Sequence, residues 1–140
     1  MKNISNRNTV SVTQKERKFL LENETCRIAT SHNDIPHIVP VAYIYDEGNV
    51  TFVTDYGTRK YKNLEVNKNI SVVVDVYDPS AENKAVVFQG KAVIIEKGAG
   101  YKRLYRIFNR KFEWVRNNPW KEGEAPFVRV NALNKVSWGL

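Results

Sequence analysis

The chain has 140 residues, 42% of them hydrophobic and 26% charged, which excludes a disordered chain and is enough for one buried core. Its longest apolar stretch, Ile38 to Tyr45, is eight residues and contains Pro40, whereas a membrane-spanning helix needs about 20. Twenty-two Lys and Arg against 15 Asp and Glu give a formal charge of +7, which favours anionic partners without choosing among nucleic acid, phosphorylated small molecules and acidic surfaces.

Residues 1–12 read as a flexible arm, and residues 13–140 as one domain. Met1 to Thr9 is polar and no apolar block follows it, so it does not read as a signal peptide. Thr13-Gln14-Lys15-Glu16 matches the capping box, a hydroxyl followed three residues on by Glu. A helix is expected to about Glu24, with Phe19 and Leu20 inward. Strands follow over Thr25 to Ser31 and Pro36 to Tyr45, around a turn at Asn33-Asp34. Asp46 to Asn49 is a hairpin turn, and Val50 to Asp55 the returning strand.

Tyr56-Gly57 breaks that strand, and Thr58 is the expected N-cap of a helix to about Lys68, with Tyr61 and Leu64 inward. Ile70 to Tyr77 and Ala85 to Glu96 read as strands. Tyr101, Leu104, Tyr105, Phe108, Phe112 and Val115 recur at helical spacing and predict one long helix. Asn117-Asn118-Pro119 ends it, and Phe127 to Trp138 closes the chain as a strand. Meander-like strands with short turns favour an antiparallel sheet curled into a barrel. The absence of βαβ alternation argues against a doubly wound parallel sheet.

Most other features have plain readings. One cysteine, Cys26, excludes an intrachain disulfide and reads as a small apolar residue at a strand start. One Cys and two His fall short of the four ligands of a structural zinc site, so no metal is expected. His32 and His37 read as loop residues beside Pro36, and Asp75 as facing outward. The basic residues around the long helix (Lys102, Arg103, Arg106, Arg110, Lys111, Arg116) read as a solvated face, with a nucleic-acid surface as the alternative. Trp114, Tyr101 and Tyr105 read as packing. The cytoplasm is the expected compartment.

The informative stretch is Phe52-Val53-Thr54-Asp55-Tyr56-Gly57-Thr58-Arg59-Lys60. Helix starts attract Asp and Glu, because the macrodipole is positive there. Here Arg59 and Lys60 occupy the first turn. Either they point into solvent, or free backbone N–H groups, the Thr58 hydroxyl and two cations converge on a phosphate. Arg27, at the start of a half-buried strand, either sits on the surface or reaches a ligand across the barrel.

Arg27-Ile28-Ala29-Thr30, then Phe52-Val53-Thr54 with Thr58-Arg59-Lys60, then Gly90-Lys91-Ala92 and Val136-Ser137-Trp138 stand in the order and spacing of one family. From about residue 13 onward the chain resembles the pyridoxamine 5'-phosphate oxidase-related flavoproteins. The resemblance implies a mainly β fold, an antiparallel split β-barrel with flanking helices. It also implies a homodimer with FMN at the subunit interface. Arg59 and Lys60 would bind the FMN phosphate with Thr58 helping, and Arg27 would face the phosphate and ribityl end. The backbone of Ile28, Ala29 and Thr30, with Val53 and Thr54, would line the ribityl chain and ring. Trp138 would approach the flavin.

In the true pyridoxamine phosphate oxidases an Arg-x-His segment that holds substrate follows the Trp; here Gly139 and Leu140 follow Trp138. The Lys placed five residues after the strand Arg is His32. The flavin-touching Gln falls near Ala85, with Gln89 close by. The resemblance thus implies an FMN-dependent oxidoreductase whose small-molecule substrate is not pyridoxamine phosphate. A deazaflavin-dependent reductase and a non-enzymatic flavin or haem carrier are the alternatives.

Overall fold

Local chemistry sets the first elements. The computed structural model describes residues 10–140. Helix α1 (Gln14–Glu22) starts on a complete capping box: Thr13 Oγ1 accepts from the Glu16 N–H at 3.1 Å, and Glu16 Oε1 accepts from the Thr13 N–H at 2.9 Å. The helix ends two residues before the expected Glu24, and Asn23 Nδ2 donates to the Phe19 carbonyl at 2.8 Å. Of the expected arm, residues 1–9 lie outside the described residues. Val10 and Val12 pack against the barrel core.

Strands β1 (Thr25–His32) and β2 (Ile35–Asp46) form a hairpin with a two-residue turn. Asn33 and Asp34 both have positive φ, 52° and 64°. Such turns match the twist of the flanking strands, so pairing runs to His32↔Ile35. His32 and His37 therefore belong to strands, not to the loop expected for them. Strand β3 (Asn49–Val53) pairs with β2, and helix α2 (Arg59–Val66) follows. Strands β4 (Asn69–Val76) and β5 (Lys84–Ile95) pair with each other, and β6 (Phe127–Trp138) enters between β3 and β5. All neighbours are antiparallel, and β1 against β4 closes the six-stranded barrel in the order β1-β2-β3-β6-β5-β4.

The barrel interior is filled by alternate residues, including Ile28, Phe52, Val72, Val74, Val86, Phe88 and Val128. Helix α3 (Ala99–Lys111) adds a second layer outside. Its stripe of Tyr101, Leu104 and Phe108 packs on Ile44 and Phe127. Both sheet faces are therefore covered at that point. Neighbours Tyr43 and Ile44, like Phe127 and Val128, are all buried although their side chains alternate. The Arg103 guanidinium fixes α3 to the end of β2 through two hydrogen bonds to Asp46, at 2.7 and 2.8 Å.

The long helix expected over Tyr101 to Val115 is two helices. Phe112 is extended, with φ −118° and ψ 124°, between α3 and α4 (Glu113–Asn117). Phe112 and Val115 both stay buried, so the break leaves the apolar spacing intact and invisible to periodicity. Arg116 Nη1 donates to the Asn109 and Arg110 carbonyls at the end of α3, where a cation suits the helix dipole.

A bulge in β6 interrupts the β5–β6 ladder. Gln89 faces Asn134 while Gly90 faces Ala132, leaving Leu133 as the extra residue. A Cβ on Gly90 would lie 1.9 Å from the Asn131 carbonyl oxygen, a backbone atom that cannot rotate away. Gly90→Ala is expected to cost about 3 kcal/mol or more, the upper range for overpacking. Urea unfolding measures it, and an unchanged midpoint would show that β6 yields without cost.

Candidate functional site

The end of β3 and the start of α2 form the most structured part of the site. The Thr54 N–H still bonds to the Pro126 carbonyl at 3.2 Å, one residue past the strand. Thr58 is extended and caps α2, its Oγ1 accepting from the Tyr61 N–H at 3.3 Å. The Thr54 and Thr58 hydroxyls are 2.8 Å apart. The first turn of α2 holds no acidic residue. Among the described residues, Arg59 and Lys60 form no ion pair. Burial pulls the Lys60 ammonium below its ordinary pKa, and the charge of Asp55 partly offsets this.

Val53, Thr54, Thr58 and Lys60 line one cavity of about 430 Å³, together with Trp114, Trp120, Glu124 and Ala125. The size falls in the range of small-molecule sites. Trp120 is fixed in place. Its Nε1–H donates to the Tyr101 hydroxyl at 2.7 Å, and its ring meets Tyr105 edge-on at 4.8 Å. The Trp114 ring lies nearly parallel to that of Trp120, at 14° and 6.3 Å between centroids. Trp114 packs against Phe112 and Trp120, as helical spacing suggested, and still leaves 41% of its surface exposed.

The other expected site residues lie elsewhere in this chain. Arg59 lines a separate cavity of about 290 Å³ with His32, Lys62 and Asn63. Ala29 and Thr30 line a third, of about 390 Å³, with Ser71, Gln89 and Asn134. Ile28 and Thr30 point into the barrel, where the Thr30 hydroxyl accepts from Asn63 Nδ2 at 3.0 Å. Arg27 is on the outward face and pairs with Asp75, which faces outward as alternation requires. Trp138, 49% exposed, stands opposite Ala85 at the end of β6.

Sequence reasoning missed Trp120, Glu124 and Ala125. They come from the connection between α4 and β6, about 60 residues beyond the α2 start. A single Trp set among Asn, Pro, Lys and Gly in a turn-rich segment was the available signal. The basic helix is also different from its appearance in sequence. Arg103 is held by Asp46, Arg116 by carbonyls, and Lys111 Nζ donates to the Asn23 and Tyr43 carbonyls at 2.8 and 3.0 Å. Lys102 stands 3.9 Å from Glu122. Three of the six cations, Arg103, Lys111 and Arg116, thus bind groups of the fold. Cys26 is buried, and burial pushes its thiol up to about 12, far from a nucleophile's range.

The arrangement fits a planar group that carries a phosphate. A helix start with unpaired cations and free N–H groups suits the anion, and indole walls suit a flat ring. Residues 12–132 match the family model for pyridoxamine 5'-phosphate oxidase. The chain belongs to the pyridoxamine 5'-phosphate oxidase-like family.

Solved structures agree with that family at the level of fold. A conserved hypothetical protein of Mycobacterium tuberculosis superposes with a TM-score of 0.76 at 21% identity, over 94% of this chain and 88% of that one. A FAD-binding protein of Mesorhizobium loti gives 0.73 at 20% identity, over 90% and 94%. The haem storage protein of Vibrio cholerae gives 0.73 at 16% identity, over 93% and 94%. No curated protein matches the chain. Solved structures that share this fold thus include a FAD-binding protein and a haem storage protein. Among the described residues, no helix is long and apolar enough to cross a membrane, and no cluster of three or more His, Cys, Asp or Glu stands together.

Proposed function

We propose that the chain binds FMN at the start of α2 and acts as an FMN-dependent oxidoreductase on a small molecule. The observation that carries the reading is the cationic first turn of α2, with no acid in it and no ion pair among the described residues to quench it. Two cations at a positive helix end are unfavourable unless an anion joins them. Arg59 and Lys60 hold the phosphate from the two sides of the helix start, with the Thr58 N-cap beside them. Val53 and Thr54 line the approach to the ring. Bound FMN supplies a ring that accepts a hydride and passes the electrons on. The protein's share is binding, orientation and exclusion of water, which needs no acid–base pair of its own.

The outward face of the sheet supports a homodimer. One register row runs Pro40, Arg27, Val73, Val87, Val136 across five strands. Val136 and Leu133, at 61% and 52%, are among its most exposed apolar residues. Such a band is what a second copy covers. Arg27, Ala29 and Trp138 border this face, which is why a site shared between subunits gathers residues that one chain leaves apart.

The test is a visible absorption spectrum of purified protein after FMN is added and washed out. A retained protein-bound flavin spectrum, with FMN released on denaturation, is expected. A colourless protein that retains no FMN would sink the reading and leave the deazaflavin. A second reading, a carrier without turnover, is favoured by the likeness to a haem storage protein. Oxidation of NADH or NADPH with a panel of acceptors separates the two, since a carrier gives none.

A further inference from the structure

We propose that Trp114 is the stacking wall for the flavin ring in the cavity between α2 and α4. The inference rests on the reading of the α2 start as the phosphate site, and adds a residue to which neither motif nor spacing assigned a binding role. Trp114 is the second residue of α4, and the extended Phe112 is what separates α4 from α3. That break buries Phe112 and Val115 while leaving the Trp114 indole 41% exposed. An indole is costly to leave in water, and here it borders a cavity with Lys60 on its lining.

The wall is built rather than incidental. Trp120 lies nearly parallel behind it and is anchored through Tyr101, whose own hydroxyl donates to the Ala125 carbonyl. Phe112 supports the Trp114 ring at 5.6 Å between centroids. The rest of the lining supplies hydroxyls from Thr54 and Thr58, carboxylates from Asp55 and Glu124, and the Lys60 ammonium. An aromatic face beside a cation recognises a flat π-ring that carries an anion. The sequence-predicted Val53, Thr54, Thr58 and Lys60 line the same space, so the indole wall and one of the two phosphate-binding cations border one cavity, with Arg59 on the next.

The experiment compares FMN and riboflavin, which has the ring without the phosphate, by quenching of flavin fluorescence. Wild type, Trp114→Ala, Trp114→Phe and Lys60→Ala are titrated, with far-UV circular dichroism as the check on folding. Trp114→Ala is expected to weaken both ligands about tenfold or more, the scale of one ring stacked on an aromatic side chain. Trp114→Phe keeps most of the affinity, because it keeps a ring. Lys60→Ala weakens FMN and leaves riboflavin unchanged. Wild-type affinities in Trp114→Ala, or equal losses in the Phe and Ala variants, would overturn the stacking role alone. A wild-type protein that binds neither ligand would overturn the α2 reading as well.

Discussion

The double variant Arg59→Ala, Lys60→Ala loses FMN, with affinity falling at least about 100-fold, while the flavin-free protein stays as stable as before or gains slightly. The binding half of this result follows from charge-assisted hydrogen bonds, worth about 1.5–3 kcal/mol each, against about 1.4 kcal/mol per tenfold in affinity. Two such contacts give two decades or more. The side chains face different cavities, Arg59 with His32 and Lys62, Lys60 with the indoles. Each single variant should therefore cost about a decade, and the losses should combine, because neither cation can swing into the other's place. The stability half follows from the helix dipole. A cation in a first turn is repelled by it, so its removal relieves α2 in the absence of an anion. Isothermal titration with FMN and a thermal melt without it read the two halves separately. A double variant with undiminished FMN affinity would remove α2 from the site. A double variant that melts well below the wild type would mean that the cations serve the fold instead.

The placement of that pair at a capped helix start was legible in the sequence because strand end, glycine turn and helix are contiguous. The chemistry of nine neighbouring residues, Phe52 to Lys60, is enough to define it. The capping box of α1 was legible for the same reason: Thr13 and Glu16 bind each other across one turn. Contacts between distant residues were not legible. Strand β6 could have paired at either edge of a meander, and only the closed barrel shows that it enters between β3 and β5. Trp120 reaches the α2 start because that insertion carries the α4–β6 connection across β3, where Pro126 accepts from the Thr54 N–H. The helix stripe misled in a more specific way. A single extended residue at Phe112 does not disturb a spacing of three or four, so the pattern reads as continuous through a break. Charge counts misled as well, since Lys111 and Arg116 look solvated in sequence but bind backbone carbonyls far from or near to themselves.

Glu16→Ala is expected to destabilise the fold by about 3–5 kcal/mol, the scale for breaking one side of a buried ion pair. Glu16 is 3% exposed. It accepts from Lys135 Nζ at 2.6 Å, from the Ser137 hydroxyl, and from the Thr13 N–H at 2.9 Å. Without it, the Lys135 ammonium keeps only the Ser11 carbonyl at 2.7 Å. Burial alone would push the Glu16 carboxyl up, but these hydrogen bonds and the Lys135 charge outweigh it and hold the group at about 2, from 4.5. A carboxyl whose pKa is depressed on folding lends stability above its ordinary pKa and loses it as pH falls toward the folded value. The window is therefore roughly pH 5 down to 2, and the contribution about 3 kcal/mol at about 1.4 kcal/mol per unit. Glu16→Gln keeps the capping acceptor but has no proton to take up, so its stability at pH 7 falls less than that of the Ala variant. Its loss between pH 7 and 3 also shrinks relative to the wild type. Urea unfolding of both proteins at the two pH values decides it, and equal acid losses would show that Glu16 is not the group that titrates. The same contact ties α1 to Lys135 and Ser137, on the stretch of β6 that ends at Trp138. A protein that unfolds no more easily but binds FMN less well after Glu16→Gln would place this carboxylate among the residues that position Trp138.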